Sequence, residues 1–288
     1  MGEAMDRYCS YPRPVRDLRP GDHAWLAYAN EEERRHVMAG FVRDGLRSGE
    51  KVVYLADPDA GADAVPGLPC EHADGLLSVV PFDRGGGAGP EAALEALAAE
   101  AARAGPERYR AVRVTADLTW AVRRPGGLAT LLDREREWDR LVAPSVRLIA
   151  VCQFDRRACD AAALAGLRAC HGVRVDPNPE FEDSVLKIVR TFQPTGLSLR
   201  GELDASRHTV LDEALSTVLS GAGGREVHLD LAGLGFIDLG AINLLADAAA
   251  RRRGAGPLVL DSVSPQLRTV MDTVGWSMLP GLRVAGVD

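Results

Sequence analysis

The sequence lacks the run of about 20 consecutive apolar residues that a membrane-spanning helix requires. Only 5% of its 288 residues are aromatic although 46% are hydrophobic, so aliphatic side chains must form most of its core. Residues 1–22 carry charges and prolines where a secretory signal would have a continuous apolar stretch. We therefore expect a soluble, cytoplasmic protein that makes no membrane contact.

Cysteine is also scarce, with five scattered residues instead of the dense, even set of a small secreted domain. Cys152, Cys159, Cys170 and His171 could be considered as metal ligands, but they lack the paired C-x2-C spacing of a zinc knuckle. We expect inert, reduced thiols and no metal site.

Basic residues are not in excess, because the net charge is −7. Proteins that bind nucleic acid usually carry a basic patch that neutralises phosphates. The short basic run at residues 251–253 is explained by cations at the negative end of a helix. We therefore predict no direct contact with nucleic acid.

Motifs for phosphate binding and nucleophilic catalysis are absent as well. The loop after the first strand of the α/β region carries Asn30, Glu31, Glu32 and Glu33, where a nucleotide-binding loop would need glycines and a lysine. The glycine-rich segment 84–90 lacks a Lys-Ser/Thr pair, and no G-x-S-x-G elbow occurs. We expect no cofactor, no catalytic residues and no enzymatic activity.

The pattern that is present is an alternation of strand-like and helical segments over the first 170 residues. Strands are predicted at 23–28, 51–57, 76–83, 111–117 and 146–155, with helices after Asn30 and near Pro90 and Leu128. Such alternation is typical of a parallel α/β sheet. His23 begins the first of these strands, where a structural hydrogen bond is a simpler role than catalysis.

Polar and aromatic residues cluster near the predicted strand ends. In a parallel sheet, ligands bind in the crevice beyond the carboxyl ends of the strands. The ligand-binding residues predicted on this basis are Tyr28, Asp57, Asp117, Trp120, Gln153 and Asp155, with Asp83 near the same edge. The alternative is that the aspartates cap helices and the aromatic rings pack in the core.

A second, smaller pattern begins after residues 171–180, which we interpret as the interdomain linker. Strands at 185–192 and 196–204 are joined by a short turn that suits antiparallel pairing. A helix at 208–219 follows, then two further strand-helix units, the last helix capped by Ser264 and Pro265. We predict two domains, residues 1–182 and 183–288.

The ordered segments GELD, HLDLAGLGFID and PLVLDSVSPQLRTVMDTVGW resemble the STAS family of anti-sigma factor antagonists and sulfate-transporter tails. The resemblance spans about 100 residues, and the lack of membrane spans favours the regulatory branch. It implies a domain that docks an anti-sigma factor or related serine-kinase-type regulator. The partner-binding residues that it implies are Asp204, Asp238, Leu239, Gly240 and Ala241.

This STAS-like segment departs from the family at its phosphorylation switch. The family places serines after an aspartate at a helix start, whereas Leu239 and Gly240 follow Asp238 here. A phosphate at that position would add charge and repel a close partner. Without the hydroxyl group, we expect binding that is controlled by the N-terminal domain.

The segments PGDHAWLAY, FVRDGLRSGEKVVYLAD, DLTW and VCQFDRR resemble the MEDS domain, a sensory module of methanogen and methylotroph regulators, over residues 10–180. It implies an N-terminal RecA-like parallel-sheet α/β sandwich, here without a Walker A loop, beside the smaller C-terminal STAS-like α/β domain.

The resulting hypothesis is a regulatory protein in which the sensory domain binds a small organic ligand and controls the STAS-like domain, thereby affecting transcription. The alternative is a small-molecule-binding protein, or a nucleotide-binding enzyme of RecA-like layout, in which the STAS-like part mediates assembly.

Overall fold

The structure is a computed structural model that describes residues 10–56, 65, 75–81, 90–104, 109–252, 254–276 and 279–285. It divides into two compact units, Met1–Asn178 and Pro179–Asp288. This division lies slightly before the predicted one, because Phe181–Glu182 form a strand that pairs with the next strand of the second unit. Within the described residues, no helix has both the length and the hydropathy needed to cross a bilayer.

The first unit contains one seven-stranded sheet among its described residues, and every pairing in it is parallel. Its strands are β1 (Tyr11–Pro14), β2 (His23–Tyr28), β3 (Lys51–Ala56), β4 (Leu77–Pro81), β5 (Val112–Asp117), β6 (Leu148–Asp155) and β7 (Val173–Asp176). Their order across the sheet is β1-β7-β2-β6-β5-β3-β4. The predicted parallel α/β architecture is confirmed.

The interpretation of residues 171–180 as a linker is wrong for its central part. Val173 and Val175 are buried while Arg174 points outward, so β7 alternates as a strand does. It pairs with both β1 and β2 and extends the sheet at that side. Four residues are too short a run for its period of two to stand out beside neighbouring turn-forming residues.

Helices cover both faces of this sheet. They are α1 (Glu31–Arg47), α2 (Pro90–Ala104), α3 (Thr119–Val122), α4 (Gly127–Val142) and α5 (Ala161–Cys170). The α1 residues Val37, Phe41 and Val42 pack in one core cluster, whereas α2, α4 and α5 contribute to a second one. Alternate residues of β2, β3 and β6 enter the two clusters, as the period of two requires.

The second unit combines antiparallel and parallel pairing. Its strands are β8 (Phe181–Glu182), β9 (Leu186–Phe192), β10 (Thr195–Leu203), β11 (Val227–Ile237), β12 (Leu258–Asp261) and β13 (Leu282–Val284), and its helices are α6 (His208–Gly221), α7 (Leu239–Arg251) and α8 (Pro265–Thr273). The predicted β9–β10 hairpin is antiparallel, while β10 to β13 pair in parallel. The three helices and the sheet share one apolar core.

Gly196 allows the backbones of β10 and β11 to approach closely. It lies opposite His228 in the parallel register, and a Cβ atom at position 196 would overlap the His228 carbonyl oxygen. Backbone atoms cannot move aside as the end of a flexible side chain can, so the pairing itself would have to shift.

We therefore expect Gly196→Ala to lower the free energy of unfolding of the second unit by about 2–4 kcal/mol. Urea unfolding followed by circular dichroism measures this change. Gly224→Ala is the matched control, since a Cβ at that position meets nothing within 4 Å. Equal stability of the two variants would contradict the close approach.

Candidate functional site

Tyr28 and Asp117 meet at the carboxyl ends of β2 and β5. The Tyr28 hydroxyl donates a hydrogen bond of 2.9 Å to Asp117 Oδ2, and Asp117 Oδ1 accepts one of 2.9 Å from the Thr119 backbone N–H. Burial, together with the nearby charge of Asp117, raises the pKa of Tyr28. The phenol therefore stays protonated and acts as a donor at this edge of the sheet.

Arg34, which the sequence reasoning missed, is the positive centre of the same region. Its guanidinium lies 3.2 Å from the Tyr54 hydroxyl and 3.4 Å from Gln153 Oε1, and it donates to Glu31 at 2.6 Å. Burial acts to lower the pKa of Arg34, but the hydrogen bond to Glu31 and the attraction of Tyr54, Glu31 and Asp117 together outweigh it, so the net shift is upward. The charged guanidinium of Arg34 thus lies beside the fully buried side-chain amide of Gln153.

We call Tyr28, Arg34, Asp117, Thr119 and Gln153 the strand-end cluster. Gln153 is fully buried and donates through Nε2 to Thr115 Oγ1 at 2.8 Å. The cluster brings together three of the predicted ligand-binding residues from three parallel strands. Its groups already form hydrogen bonds with one another or with Glu31, Tyr54 and Thr115, so a ligand would have to replace some of these bonds.

The other predicted ligand-binding residues have different surroundings. Asp155 caps a short 3-10 helix by accepting from the Arg157 backbone N–H at 2.9 Å, and it pairs with the Arg157 guanidinium at 2.8 Å. The Arg124 guanidinium lies 4.9 Å from the centre of the Trp120 ring. Asp57 and Asp83 lie outside the described residues. For Asp155 the capping alternative therefore accounts for the observed contacts.

A groove of about 900 Å³ opens on the α5 side of the same sheet edge. It is lined by Ser10, Trp25, Ala27, Glu33, Arg156, Ala161, Leu164, Ala165, Arg168, Ala169, Arg174, Val175 and Asp176. It combines an apolar wall with arginines and two carboxylates, which suits a small ligand with both apolar and charged parts. None of the predicted ligand-binding residues lines it.

The loop that would hold phosphate in a RecA-like nucleotide-binding protein is closed by its own side chains. Asn30 Oδ1 accepts from the Glu33 backbone N–H at 2.9 Å, and Glu33 Oε2 accepts from the Ala29 backbone N–H at 2.6 Å. This reciprocal pattern resembles a capping box. These two bonds occupy backbone N–H groups that a phosphate would need, and they place the Glu33 carboxyl group in the loop.

Four buried residues form a second polar cluster in the core of the first unit. His23, Glu135, Cys152 and His171 bring their ligand-type atoms within 4.8 Å of one another, and we call them the buried cluster. Glu135 Oε2 lies 3.1 Å from His23 Nε2, 3.3 Å from Cys152 Sγ and 3.5 Å from His171 Nε2. The sequence reasoning placed His23 in a structural role, and Cys152 and His171 in a different set with Cys159 and Cys170.

In the buried cluster, the pKa values of Glu135 and Cys152 are shifted from their ordinary values. Burial acts to raise the pKa of Glu135, but hydrogen bonds and attraction from His171 and His23 hold it below its usual value. Burial, with the Glu135 carboxylate beside it, raises the pKa of Cys152 well above that of a free thiol. The core therefore contains an ionised carboxylate next to a protonated thiol.

In the second unit, the start of α7 carries the residues that the STAS resemblance implies for partner binding. Asp238 caps the helix by accepting from the Ala241 backbone N–H at 2.7 Å, and this bond, with His208 beside it, lowers the pKa of Asp238. Leu239 is 66% exposed, whereas Ala241 is fully buried. Asp204 instead caps a 3-10 turn and pairs with Arg207 at 2.9 Å.

An apolar groove of about 710 Å³ opens beside this helix start, and we call it the docking groove. It is lined by Leu231, Leu234, Gly235, Phe236, Ile237, Asp238, Leu239, Gly240, Ile242, Ser264, Gln266, Leu267 and Val270. Phe236 is 50% exposed there. Large apolar side chains exposed together are typical of an interaction surface.

The fold and these sites define a two-domain α/β protein with a polar cluster in one unit and an apolar groove in the other. The family model described as the methanogen/methylotroph, DcmR sensory domain (MEDS) matches residues 22–172. Because this match covers more than half of the chain, the chain belongs to the MEDS family. The model described as the Mlab, STAS domain matches residues 186–282, which confirms the predicted fusion. This combination of domains is that of a regulatory or signalling protein.

One similar solved structure is that of an anti-sigma-factor antagonist (STAS) domain protein from Planctomyces limnophilus. It is 19% identical, with a TM-score of 0.30, and the similarity covers 36% of this chain and 93% of that one. No match to a curated protein was found.

His208 occupies the space that a side chain at position 240 would need. Its Nε2 lies 2.8 Å from Asp238 Oδ1, and a Cβ atom on Gly240 would overlap the imidazole Cε1. A serine at this position, as in the family's switch, therefore requires the imidazole to rotate away from Asp238.

We expect Gly240→Ser to lower the free energy of unfolding by about 1 kcal/mol, since the His208–Asp238 hydrogen bond is lost. The same substitution in a His208→Ala background should cost measurably less, because the obstructing ring is gone. Chemical unfolding of the four proteins in this cycle measures the coupling. Additive effects would show that His208 does not restrict position 240.

Proposed function

We propose that the second unit docks an anti-sigma factor or a related serine-kinase-type regulator, and that the first unit controls this contact by sensing a small organic ligand. The chain would act in the cytoplasm and affect transcription through its partner. It would act by binding rather than by catalysis.

The docking groove is the observation that carries this proposal. Leu239, Phe236 and Val270 present apolar side chains around it, with Asp238 at its edge. An apolar centre beside a charged rim is the usual composition of a protein-protein interface. Leu239 stands where the family has a serine, so it adds apolar area at the position where phosphate would weaken docking.

Control by the first unit follows from the missing hydroxyl group at the α7 start. Gly240 has no side chain to modify, and Leu239 cannot accept a phosphate. Regulation by another part of the chain fits this difference, and the membership of residues 22–172 in a sensory family supports the first unit as its source.

The strand-end cluster supports a sensing function over nucleotide hydrolysis. Asn30 and Glu33 close the loop that would bind phosphate. Tyr28, Arg34 and Asp117 offer a protonated phenol, a cation and a carboxylate at the edge where parallel α/β folds bind ligands. A small polar organic molecule could bind by replacing the Tyr28–Asp117 hydrogen bond and those of Arg34, without any chemical reaction.

We expect Leu239→Glu to weaken partner binding at least about tenfold, because it introduces a desolvated charge at the centre of the contact. Isothermal titration calorimetry of the full chain with a serine-kinase-type anti-sigma factor from the same organism measures this change. Val146→Glu is the matched control, since Val146 is 84% exposed and belongs to the other unit.

Two results would contradict the docking proposal. The first is unchanged affinity of Leu239→Glu while the variant keeps the circular dichroism spectrum of the parent. The second is equal weakening by Val146→Glu, which would show a nonspecific effect of added charge.

We expect Tyr28→Phe to abolish the thermal stabilisation that a bound organic ligand confers, because it removes the hydroxyl donor from the strand-end cluster. The substitution itself should cost only about 1 kcal/mol of stability. Melting curves of the parent and variant across a panel of one- to four-carbon alcohols, amides, carboxylates and halides measure the ligand response.

Tyr11→Phe is the control for this experiment, as Tyr11 is 65% exposed in the outermost strand β1. A ligand that stabilises the parent and Tyr28→Phe equally would place the sensory site elsewhere, with the α5-side groove as the next candidate.

A further inference from the structure

Four of the six distances between ligand-type atoms of the buried cluster are close to those of a tetrahedral metal site, and the whole set lies within 4.8 Å. Zinc binds imidazole nitrogen, carboxylate oxygen and thiolate sulfur at about 2.0–2.3 Å, which separates tetrahedral ligand atoms by about 3.3–3.8 Å. The distances from Glu135 Oε2 to His23 Nε2, Cys152 Sγ and His171 Nε2 are 3.1, 3.3 and 3.5 Å. Cys152 Sγ lies 3.7 Å from His23 Nε2.

The imidazole of His171 is oriented as a ligand. Its Nδ1 lies 2.7 Å from the Leu167 carbonyl oxygen, which can only accept, so Nδ1 carries the proton. In the neutral ring, Nε2 then presents a bare lone pair toward Glu135. This nitrogen is fully buried and has no hydrogen-bond partner among the described residues. A lone pair that faces a carboxylate is repulsive unless a proton or a metal cation lies between them, and a metal cation is the option that also uses the other two members of the cluster.

His23 also has an oxygen behind its second ring nitrogen, although its Nε2, unlike that of His171, already forms a hydrogen bond with Glu135. Its Nδ1 lies 3.3 Å from Asp139 Oδ1, and its Nε2 faces the other members of the cluster. A carboxylate or carbonyl oxygen behind the second ring nitrogen is the usual way to orient a metal-binding histidine. Both imidazoles therefore have the outer partner that a ligand histidine requires.

Burial and charge also favour a metal ion. The side chains of His23, Glu135 and His171 are at most 1% exposed, and Glu135 Oε1 has no partner among the described residues. A buried carboxylate needs compensation by opposite charge. One divalent cation would be balanced by the Glu135 carboxylate and the Cys152 thiolate together, which leaves the buried group neutral.

We propose that His23, Glu135, Cys152 and His171 form a binding site for one Zn²⁺ ion in the first unit. When the ion binds, the Cys152 thiol releases its proton to solvent and coordinates the ion as a thiolate. No electron is transferred. Mixed nitrogen, sulfur and oxygen ligands in a four-coordinate set suit zinc, whereas magnesium and calcium prefer oxygen alone.

The site has four protein ligands and is closed to solvent, which is characteristic of structural zinc. The ligands come from β2, α4, β6 and the residue that follows α5. Zinc at this position links α4 and the end of α5 to the adjacent strands β2 and β6. It stabilises the unit that we propose as the sensor and takes no part in ligand binding.

The test uses the full chain and the metals alone. The protein is stripped with a chelator and titrated with Co²⁺, and the absorption bands of tetrahedral cobalt-thiolate coordination are recorded. We expect one equivalent to bind, Zn²⁺ to displace it, and the melting temperature to rise with either metal. Elemental analysis of the untreated protein should find one zinc per chain.

Cys152→Ser should abolish the thiolate band, while Cys159→Ser, the matched control outside the cluster, should keep it. Asp139→Asn should retain the site with zinc affinity reduced about 10–100-fold, since Asp139 only positions His23. Because Asp139→Asn keeps all four ligands in place, it still tests the site if Cys152→Ser does not fold.

Two outcomes would overturn the proposal. Folded wild-type protein that binds neither Co²⁺ nor Zn²⁺ would show that the cluster is a metal-free hydrogen-bonded group. Cobalt spectra without a thiolate band, or identical in Cys152→Ser, would place any bound metal elsewhere. Neither outcome affects the docking proposal, which is tested on the second unit.

Discussion

The parallel pairing of β2 with β6 is the constraint on which both polar clusters of the first unit depend. It aligns Trp25 with Cys152 and Leu26 with Gln153, so the two strands run in register over their full common length. His23 and Cys152 are thereby brought to one face of the sheet, beside α4. Tyr28 and Gln153 are brought to the carboxyl-end region with Arg34. A shift of either strand by one residue would turn its side chains to the opposite face relative to the other strand, and neither cluster would form.

In the second unit, the corresponding constraint is the turn from β11 into α7. The Asp238 backbone N–H donates to the Leu203 carbonyl oxygen, while its side chain caps the helix. The backbone and the side chain of Asp238 therefore both fix the direction in which the chain enters α7. Leu239, immediately after Asp238, is largely exposed and lines the docking groove together with Phe236. The apolar character of the docking groove thus arises from a helix start that is held rigidly by polar contacts.

The order of strands and helices could be predicted from the sequence because apolar periodicity and helix caps are local properties. Asn30 and Ser264 act as caps as predicted, and the β9–β10 hairpin pairs as its short turn indicates. The buried cluster could not be predicted, because His23 and Glu135 are separated by 112 positions and meet only through the tertiary fold. Arg34 was missed because an arginine in the first helical turns ordinarily faces solvent, and the contacts with Tyr54 and Gln153 that draw it inward arise only in the tertiary fold.

Strand β6 carries members of both clusters on opposite faces, and this arrangement bears on how a sensor could respond. Cys152 faces α4 and the buried cluster, whereas Gln153, the next residue, faces α1 and the strand-end cluster. If the buried cluster is tied together by an ion, β6 cannot slide when a ligand takes the hydrogen bonds of Gln153. Under this proposal, ligand binding would instead displace Arg34 and the helix α1 that carries it. Rigid packing on one face is what allows a change of hydrogen bonds on the other to move a helix rather than to loosen the sheet.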